Sequence, residues 1–305
     1  MKILLTGGTG LIGLAFIRRF DEYQYTVLTR SPEKAKSLLP ESVTLIESLD
    51  NLPNLDGFDA VINLAGEAII DKRWHPKQKD RICQSRWQMT QKLADLFARS
   101  ENPPETFLSG SAIGVYGNRG DDVLTEASTV QEHDFATTLC LRWEAIARGA
   151  ESYTRVVLLR TGIVLAAHSG ALAKMLLPFK CCLGGRIGDG QQYMSWIHLQ
   201  DHVNAMGYLL TEKSISGPVN LVAPEPVRNN IFTQTLAEVL QRIAIFPVPK
   251  SILKLLLGES SCLLLDSQRV MPEALLNKRF SFAFPTLNQA LTHLLKDTPA
   301  SLTKG

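Results

Sequence analysis

Glycines at every third position near the N-terminus constrain this chain more than any other feature. Gly7-Gly8-Thr9-Gly10-Leu11-Ile12-Gly13 follows the apolar stretch Lys2-Ile3-Leu4-Leu5-Thr6 and precedes an amphipathic segment beginning near Leu11. A strand leading into such a turn and a helix leading out of it make a cradle for a dinucleotide. Gly7 and Gly10 permit a tight turn whose N–H groups approach the diphosphate, and Gly13 lets the helix lie close on the sheet. The free N–H groups of the first helical turn and their partial positive charge favour the same anion. Thr9, Leu11 and Ile12 belong to this loop and are expected to border the ligand with the glycines. A ligand-free strand–helix turn is the plainer alternative, but it does not need glycine at this period.

The pattern beyond the loop repeats the same unit. Short β-branched runs at 3–6, 25–29, 43–46, 60–63, 107–109 and 156–160 predict strands. Amphipathic segments at 11–20, 32–39, 76–98 and 135–150 predict helices. Strands separated by helix-length segments imply parallel βαβ units, and nearly continuous apolar strands suit a sheet covered on both faces. The expected class is α/β, a doubly wound parallel sheet of the Rossmann type. After Gly162 the rhythm changes. Residues 170–190 are expected to be dominated by loops, 199–210 to be helical and 219–222 to return as a strand. Prolines 224, 226, 247 and 249 break the remainder into short helical pieces. The expected division is a dinucleotide-binding domain over 1–165, rejoined by 195–222, and a smaller, mostly helical substrate lobe from 166–194 and 223–298.

The end of the second strand bears on which coenzyme fits. A chain that takes NAD sets Asp or Glu about 20 residues past the loop, where the carboxylate grips the ribose 2′-hydroxyl. Here the strand ends Thr29-Arg30-Ser31. A guanidinium there can fork onto a 2′-phosphate, so NADP(H) is expected over NAD(H). A solvated Arg30 at a strand end is the bland alternative.

Composition excludes several other classes. A formal charge of +2 with no dominant basic face argues against general nucleic-acid binding. Five cysteines, with Cys181-Cys182 adjacent, form neither a disulfide framework nor a metal-ligand spacing, so reduced thiols and no metal are expected. The N-terminus lacks the charged head and apolar middle of a signal peptide. The most apolar run, 252–265, is too short for a bilayer, which needs about 20 residues. A cytoplasmic chain acting on a small molecule is expected, with room for a homo-oligomer.

Four stretches together resemble an extended short-chain dehydrogenase/reductase. They are the Gly7–Gly13 loop, Asp59-Ala60-Val61-Ile62-Asn63-Leu64-Ala65-Gly66, Ser109-Gly110-Ser111 with Val115-Tyr116-Gly117, and Leu159-Arg160-Thr161-Gly162. More narrowly, the chain resembles a bacterial nucleoside-diphosphate-sugar-epimerase-like branch with a C-terminal domain of unknown function. That likeness rests on Asp71-Lys72-Arg73-Trp74, Ser85-Arg86, Cys140 with Trp143-Glu144, Gly184-Gly185 through Ser195-Trp196-Ile197-His198, Gly258-Glu259-Ser260-Ser261 and Ser267-Gln268-Arg269. The resemblance implies that Leu64, Ala65 and Gly66 border adenosine and diphosphate. It sets Arg86 on the coenzyme side of the next helix, with Arg81 on a nearby face. Thr161, Gly162 and Ile163 would lie beside the nicotinamide. Thr29 and Ser109, at strand ends, join this set.

The same resemblance exposes a loss. The superfamily's chemistry uses a tyrosine and a lysine four residues later, the lysine lowering the phenol pKa. Anchored on Glu144, these positions hold Ala136 and Cys140. Counting back from Tyr116 puts Ala112 where the catalytic hydroxyl belongs, and a one-residue bulge would restore Ser111. Candidate catalytic groups are therefore Ser111, Glu67 and Cys140, each with a structural alternative. Cys140 reads equally as a buried small hydrophobe. His133-Asp134 read as helix capping, His198 as structural, and Tyr116 as a phenol without an activating lysine. Lys174, Arg186, Gln191, Gln192, Trp196 and Arg269 could line a pocket for an anionic substrate such as a nucleotide sugar. Leu253, Leu256, Leu257, Leu263 and Leu264 read as core or cover for the lobe. Two functions follow: an NADP(H)-dependent, epimerase-like oxidoreductase with a rearranged proton donor, or a protein that binds or senses NADPH without redox turnover. A scaffold that has lost its coenzyme is a third reading, which the intact glycine loop opposes.

Overall fold

The computed structural model describes residues 1–70 and 72–297; Asp71 and the expected lobe boundary at 298 lie outside the described residues. The first half runs β1 (Lys2–Thr6), α1 (Leu11–Arg19), β2 (Gln24–Leu28), α2 (Pro32–Lys36), β3 (Thr44–Ile46), β4 (Ala60–Asn63), α3 (Pro76–Arg99), β5 (Thr106–Ala112), β6 (Val123–Leu124) and α4 (Phe135–Arg148). It continues through β7 (Arg155–Thr161), β8 (Ile163–Leu165), α5 (Gly170–Lys180), β9 (Tyr193–Met194), β10 (Trp196–His198), α6 (Leu199–Thr211) and β11 (Gly217–Leu221). The last part holds β12 (Val227–Arg228), α7 (Asn229–Leu240), α8 (Lys250–Leu257), α9 (Cys262–Leu265), β13 (Arg269–Val270), α10 (Glu273–Asn277) and α11 (Leu287–Thr292).

Seven strands form one sheet in the order β3-β2-β1-β4-β5-β7-β11, and every neighbouring pair is parallel. This is the doubly wound sheet that the alternating pattern predicts. Successive residues of a strand point to opposite faces, so a sheet covered twice needs apolar residues at both parities. Ile3, Leu5, Ile62, Leu108, Val157, Leu159 and Val219 pack with Phe16 and Ile17 of α1 and Met206 and Leu209 of α6. Leu4, Val61, Phe107, Val156 and Leu158 pack with Leu93 and Phe97 of α3 and Ala147 of α4. Each such side chain contributes about 1.5–3 kcal/mol on burial. The strand order reverses between β1 and β4, which opens a crevice beyond their carboxyl ends.

A second core joins α5, α7 and α11 through Leu172, Leu176, Phe179, Phe232, Leu236, Leu287 and Leu291. Here the expected loop over 170–190 is corrected, because its first half is helix α5. Ala171 to Leu177 are good helix formers, and Leu172, Leu176 and Phe179 share one buried face. Pro178 lies inside the last turn, where it has no N–H to donate to the carbonyl four residues earlier, and the helix ends two residues later.

The segment from Gly258 to Val270 crosses back to the first half. β13 pairs with β6. Ser267 N donates to Asn118 Oδ1 at 3.0 Å, and Gln268 Nε2 donates to the carbonyls of Ile113 and Gly117 at 3.1 Å. Lys79 of α3 pairs with Glu259 at 2.5 Å. The leucines expected as core or cover divide accordingly. Leu253 and Leu257 are half-buried, Leu256 is exposed, and Leu263 and Leu264 line the large cleft described below. Among the described residues, no helix is long and apolar enough to cross a membrane.

Candidate functional site

The turn after β1 admits only glycine at positions 7 and 13. Gly7 has φ +74°, and a Cβ there would lie 2.7 Å from the carbonyl carbon and oxygen of Leu64. A Cβ on Gly13 would lie 2.4 Å from the Gly7 carbonyl oxygen. Gly10 N donates to Gly7 O at 3.0 Å, and Gly10 then caps α1 with no side-chain bond to its first turn. Thr9, Leu11 and Ile12 lie in and just beyond this turn. Backbone amides at a helix start, with no side chain in front of them, fit a diphosphate.

Buried hydrogen bonds hold the opposite lip, Leu64-Ala65-Gly66. Thr6 Oγ1 donates to Asn63 Oδ1 at 2.6 Å and accepts from Ala65 N at 3.2 Å. Asn63 Nδ2 and Trp143 Nε1 each donate to Thr90 Oγ1 at 2.9 Å. Arg86 Nη1 donates to the carbonyls of Glu67 and Ile82 at 3.0 and 3.2 Å, and its guanidinium lies against Gly66 and over Trp143. Arg86 thus braces the loop after β4. Ser109 Oγ is buried with no partner among the described residues.

Beyond β2 lies a cleft of about 490 Å³ lined by Arg30, Glu67, Arg81, Gln84, Ser85, Gln88, Met89 and Lys92. It holds three basic side chains and one carboxylate. Lys92 is paired with Asp50 at 2.8 Å. Glu67 accepts from Gln78 and Lys72, and these bonds hold its carboxyl below the usual range. Glu67 is therefore an ionised partner in the Arg30 cleft, apart from the other two catalytic candidates. Thr29 is buried beside it and accepts from Ser31 N at 3.2 Å.

A second cleft, of about 350 Å³, lies past the ends of β5 and β7. Its lining includes Leu11, Ala112, Ile113, Ala136, Cys140, Thr161, Gly162 and Ile163 from the first half of the chain, with Ile69 and Ile70 and the C-terminal Leu263, Leu264 and Asp266. The β5–β7 register runs without interruption from Thr106↔Arg155 to Ala112↔Thr161. There is no bulge, so Ala112 lines the cleft and Ser111 turns behind it, where Ser111 Oγ donates to Glu144 Oε1 at 2.7 Å. This corrects the expectation that Ser111 could polarise a substrate carbonyl. Cys140 reaches the cleft floor at 4% exposure, and burial, then Glu144, pushes its thiol up to about 12. It is a protonated thiol rather than a nucleophile.

Behind β5, Glu144 and Arg160 form a buried fork: Nε to Oε1 and Nη2 to Oε2, both 2.9 Å. Arg160 Nη1 donates to the Tyr116 hydroxyl at 2.9 Å, which donates to Asn220 Oδ1 at 2.8 Å. Tyr116 is thus committed to this network, and burial raises its phenol. Asp134 caps α4, accepting from Thr137 N at 2.8 Å, and exposed His133 precedes it. His198 accepts from Gln200 N at 2.9 Å and shares a bond with His293. Burial lowers its imidazole to about 3.

The residues expected to receive an anion do not gather. None of Lys174, Arg186, Gln191, Gln192, Trp196 or Arg269 lines the 350 Å³ cleft. Trp196 is in the second core, Gln192 bonds the carbonyls of Ile187 and Leu264, and Arg269 lies over the Tyr193 ring. Arg186 lines a different hollow with Arg242 and Glu238. Conversely, sequence reasoning gave no role to Ile69, Ile70, Cys262 or Asp266. The available signal was a lone carboxylate ending the apolar run Cys262-Leu263-Leu264-Leu265.

Residues 3–221 match the model of the NAD dependent epimerase/dehydratase family, and residues 248–294 match a domain of unknown function, DUF1731. The chain is 37% identical over 298 residues to epimerase family protein SH2119 of Staphylococcus haemolyticus, covering 96% of this chain and 99% of that one. It is 37% identical over 304 residues to the chloroplastic SDR39U1 homolog of Arabidopsis thaliana, covering 97% and 87%. The crystal structure of human epimerase family protein SDR39U1 (isoform 2) with NADPH superposes with a TM-score of 0.89 at 31% identity, covering 98% of this chain and all of that one. A glycine turn at the sheet's switch point, followed by a family match over most of the chain, places this protein in the NAD dependent epimerase/dehydratase family.

Proposed function

We propose that the protein is an NADP(H)-dependent oxidoreductase of the epimerase type that acts on a small molecule in the cytoplasm. Residues 1–165 with 195–222 form its coenzyme part, and 166–194 with 223–298 its substrate part. In this reading Gly7, Thr9, Gly10, Leu11, Ile12 and Gly13 receive the diphosphate, with Leu64, Ala65 and Gly66 facing them across the crevice. Thr29, Arg30 and Arg81 receive the 2′-phosphate end. Arg86 positions the loop at Gly66, and Ser109, buried in the middle of β5 with its hydroxyl unpartnered among the described residues, belongs to the coenzyme-binding set. Thr161, Gly162 and Ile163 flank the nicotinamide, which when bound supplies or accepts a hydride. The observation that carries the reading is the cationic lining of the cleft at the tip of β2, where a coenzyme without the 2′-phosphate calls for a carboxylate. The NADPH named for the human relative supports the same choice.

The test is fluorescence titration with NADPH and NADH. A charge-assisted hydrogen bond contributes about 1.5–3 kcal/mol, so Arg30→Ala should weaken NADPH roughly 10- to 100-fold. NADH affinity should not change. Equal wild-type affinity for the two coenzymes would refute the 2′-phosphate assignment.

A second reading, binding of NADPH without redox turnover, draws on one observation. Ser111 Oγ is turned from the cleft to Glu144, and the cleft-lining Ala136 and Cys140 stand where the resemblance sets the tyrosine and lysine. Incubation of the coenzyme-loaded protein with carbonyl compounds and sugar nucleotides separates the two: net reduction lowers the nicotinamide absorbance, whereas an epimerase returns its hydride and is revealed only by product analysis.

A further inference from the structure

We propose that the 350 Å³ cleft takes an uncharged, largely apolar carbonyl compound or the matching alcohol, and that Asp266 holds the proton exchanged with that ligand's oxygen. The proposal rests on the coenzyme reading above and adds a substrate class and a proton donor to it.

Leu11, Ile69, Ile113, Ile163, Leu263 and Leu264 are among the residues that surround the cleft, and no Lys, Arg or His lines it among the described residues. Its charged groups are Asp134 and Asp266, both acidic. A carboxylate or phosphate placed there would lose water, gain no cation from the described protein lining and meet like charge. A neutral ligand meets none of these penalties.

Elimination then singles out Asp266. Thr161 Oγ1 donates to Leu159 O and lies 3.1 Å from His202 Nε2. Ser195 Oγ donates to Gln268 O at 2.7 Å and accepts from Val270 N at 2.9 Å. The Gln268 amide is committed to two carbonyls, and Asp134 to its helix cap. The Tyr193 ring is in contact with the guanidinium groups of Arg228 and Arg269, 4.6 and 5.1 Å from its centroid. The Cys140 and Cys262 thiols are both pushed up to about 12, chiefly by burial. The Asp266 carboxyl accepts no hydrogen bond among the described residues, yet its backbone is fixed on both sides. Its N–H donates to Cys262 O at 2.9 Å, and Ser267 and Gln268 are bonded to the 113–120 segment. Asp134 at the start of α4, Cys140 on α4, Tyr193 on β9 and Cys262 on α9 are the other titratable groups lining the cleft among the described residues. Burial, then the charge on Asp134, raises the Asp266 carboxyl to about 6, so it carries a proton where an ordinary aspartate has lost one.

The exchange balances as a carbonyl reduction. The carbonyl carbon gains a hydride from the reduced nicotinamide coenzyme, which ends oxidised. The π pair moves to oxygen, and that oxygen takes the proton from an Asp266 Oδ. Water reprotonates the carboxylate, and alcohol oxidation reverses each movement.

The test uses the full chain with NADP⁺ present, so that no reduction occurs, and follows 2-octanone, octanoate and UDP-glucose by ligand-observed NMR between about pH 5 and 8. We expect 2-octanone to bind in preference to both anions, with affinity falling as pH rises through about 6. Asp266→Asn should keep ketone binding through its amide, lose that pH dependence, and lower ketone reduction with NADPH about 10²- to 10⁴-fold. Asp134→Asn, which preserves a helix cap, should move the midpoint to lower pH. Binding of octanoate or UDP-glucose as tight as the ketone's overturns the substrate class. A pH-independent ketone affinity in the wild type overturns the role of Asp266. NADPH titration of the same samples distinguishes the levels: no NADPH affinity refutes the coenzyme reading, whereas intact NADPH affinity with an indifferent ketone refutes this proposal alone.

Discussion

Replacing Glu144 with glutamine removes the negative member of a charge pair that water barely reaches. The two side chains are 4% and 5% exposed, and the fork is made of two bonds at 2.9 Å. An exposed pair is worth about 0–1 kcal/mol, but stranding one buried partner costs about 3–5 kcal/mol. Glutamine leaves one oxygen to accept from Arg160, and Tyr116 still accepts from Nη1 at 2.9 Å. The expected loss therefore falls at the low end, roughly 3 kcal/mol. Urea unfolding with linear extrapolation measures it, and an unchanged slope assigns the loss to the native state. The double variant Glu144→Leu/Arg160→Met leaves no stranded charge and should lose less than Glu144→Gln alone. NADPH affinity should hold, because the fork lies behind β5. A loss below about 1 kcal/mol for Glu144→Gln, or a double variant less stable than the single, would refute the reasoning.

Two further outcomes follow from the glycine turn and from a buried imidazole. Gly13→Ala sets a methyl 2.4 Å from Gly7 O and 2.7 Å from Gly8 Cα, both backbone. The helix must retreat, so a loss of about 1–3 kcal/mol and of coenzyme affinity is expected from thermal melting and fluorescence titration. Unchanged binding would show that the turn tolerates a side chain. His202, whose Nε2 lies 3.1 Å from Thr161 Oγ1, is lowered by burial from 6.5 to about 3. The folded state resists its protonation, so its contribution is intact above pH 6.5 and is lost as pH falls toward 3. His202→Gln should flatten the acid limb of stability against pH by about 1.4 kcal/mol per pH unit, read from urea midpoints, and an unaltered slope would contradict this.

The sheet was legible because its strands obey local rules. Ile3, Leu4 and Leu5 are apolar at consecutive positions and are all fully buried, as a doubly covered strand requires. Gly7, Gly10 and Gly13 announce their turn by spacing alone. Arg30 could be assigned to the neighbouring cleft because β2 pairs with β1 residue for residue. Ser111 was not decidable, since the presence of a bulge depends on pairing with Arg160, a residue far along the chain. Helix α5 was hidden by Gly170 and Pro178, whose local signals are outweighed by burial of Leu172 and Phe179 against α7. Lys174, Arg186 and Arg269 misled for the same reason: residue type suggests an anion site, but only tertiary packing decides which side chains meet. Asp266 escaped notice because its neighbours in space, Asp134 and Ala136, come from the other half of the sequence.

The bonds from Ser267 and Gln268 to the 113–120 segment span 147 to 155 residues of chain. Closing such long loops comes at an entropic disadvantage, so these contacts form after the βαβ units that need only near neighbours. The order of assembly then separates the two ligands. The coenzyme turn needs only β1, β2 and β4, whereas the wall of the 350 Å³ cleft made by Cys262, Leu263, Leu264, Asp266 and Gln268 is in place only when the C-terminal stretch has docked.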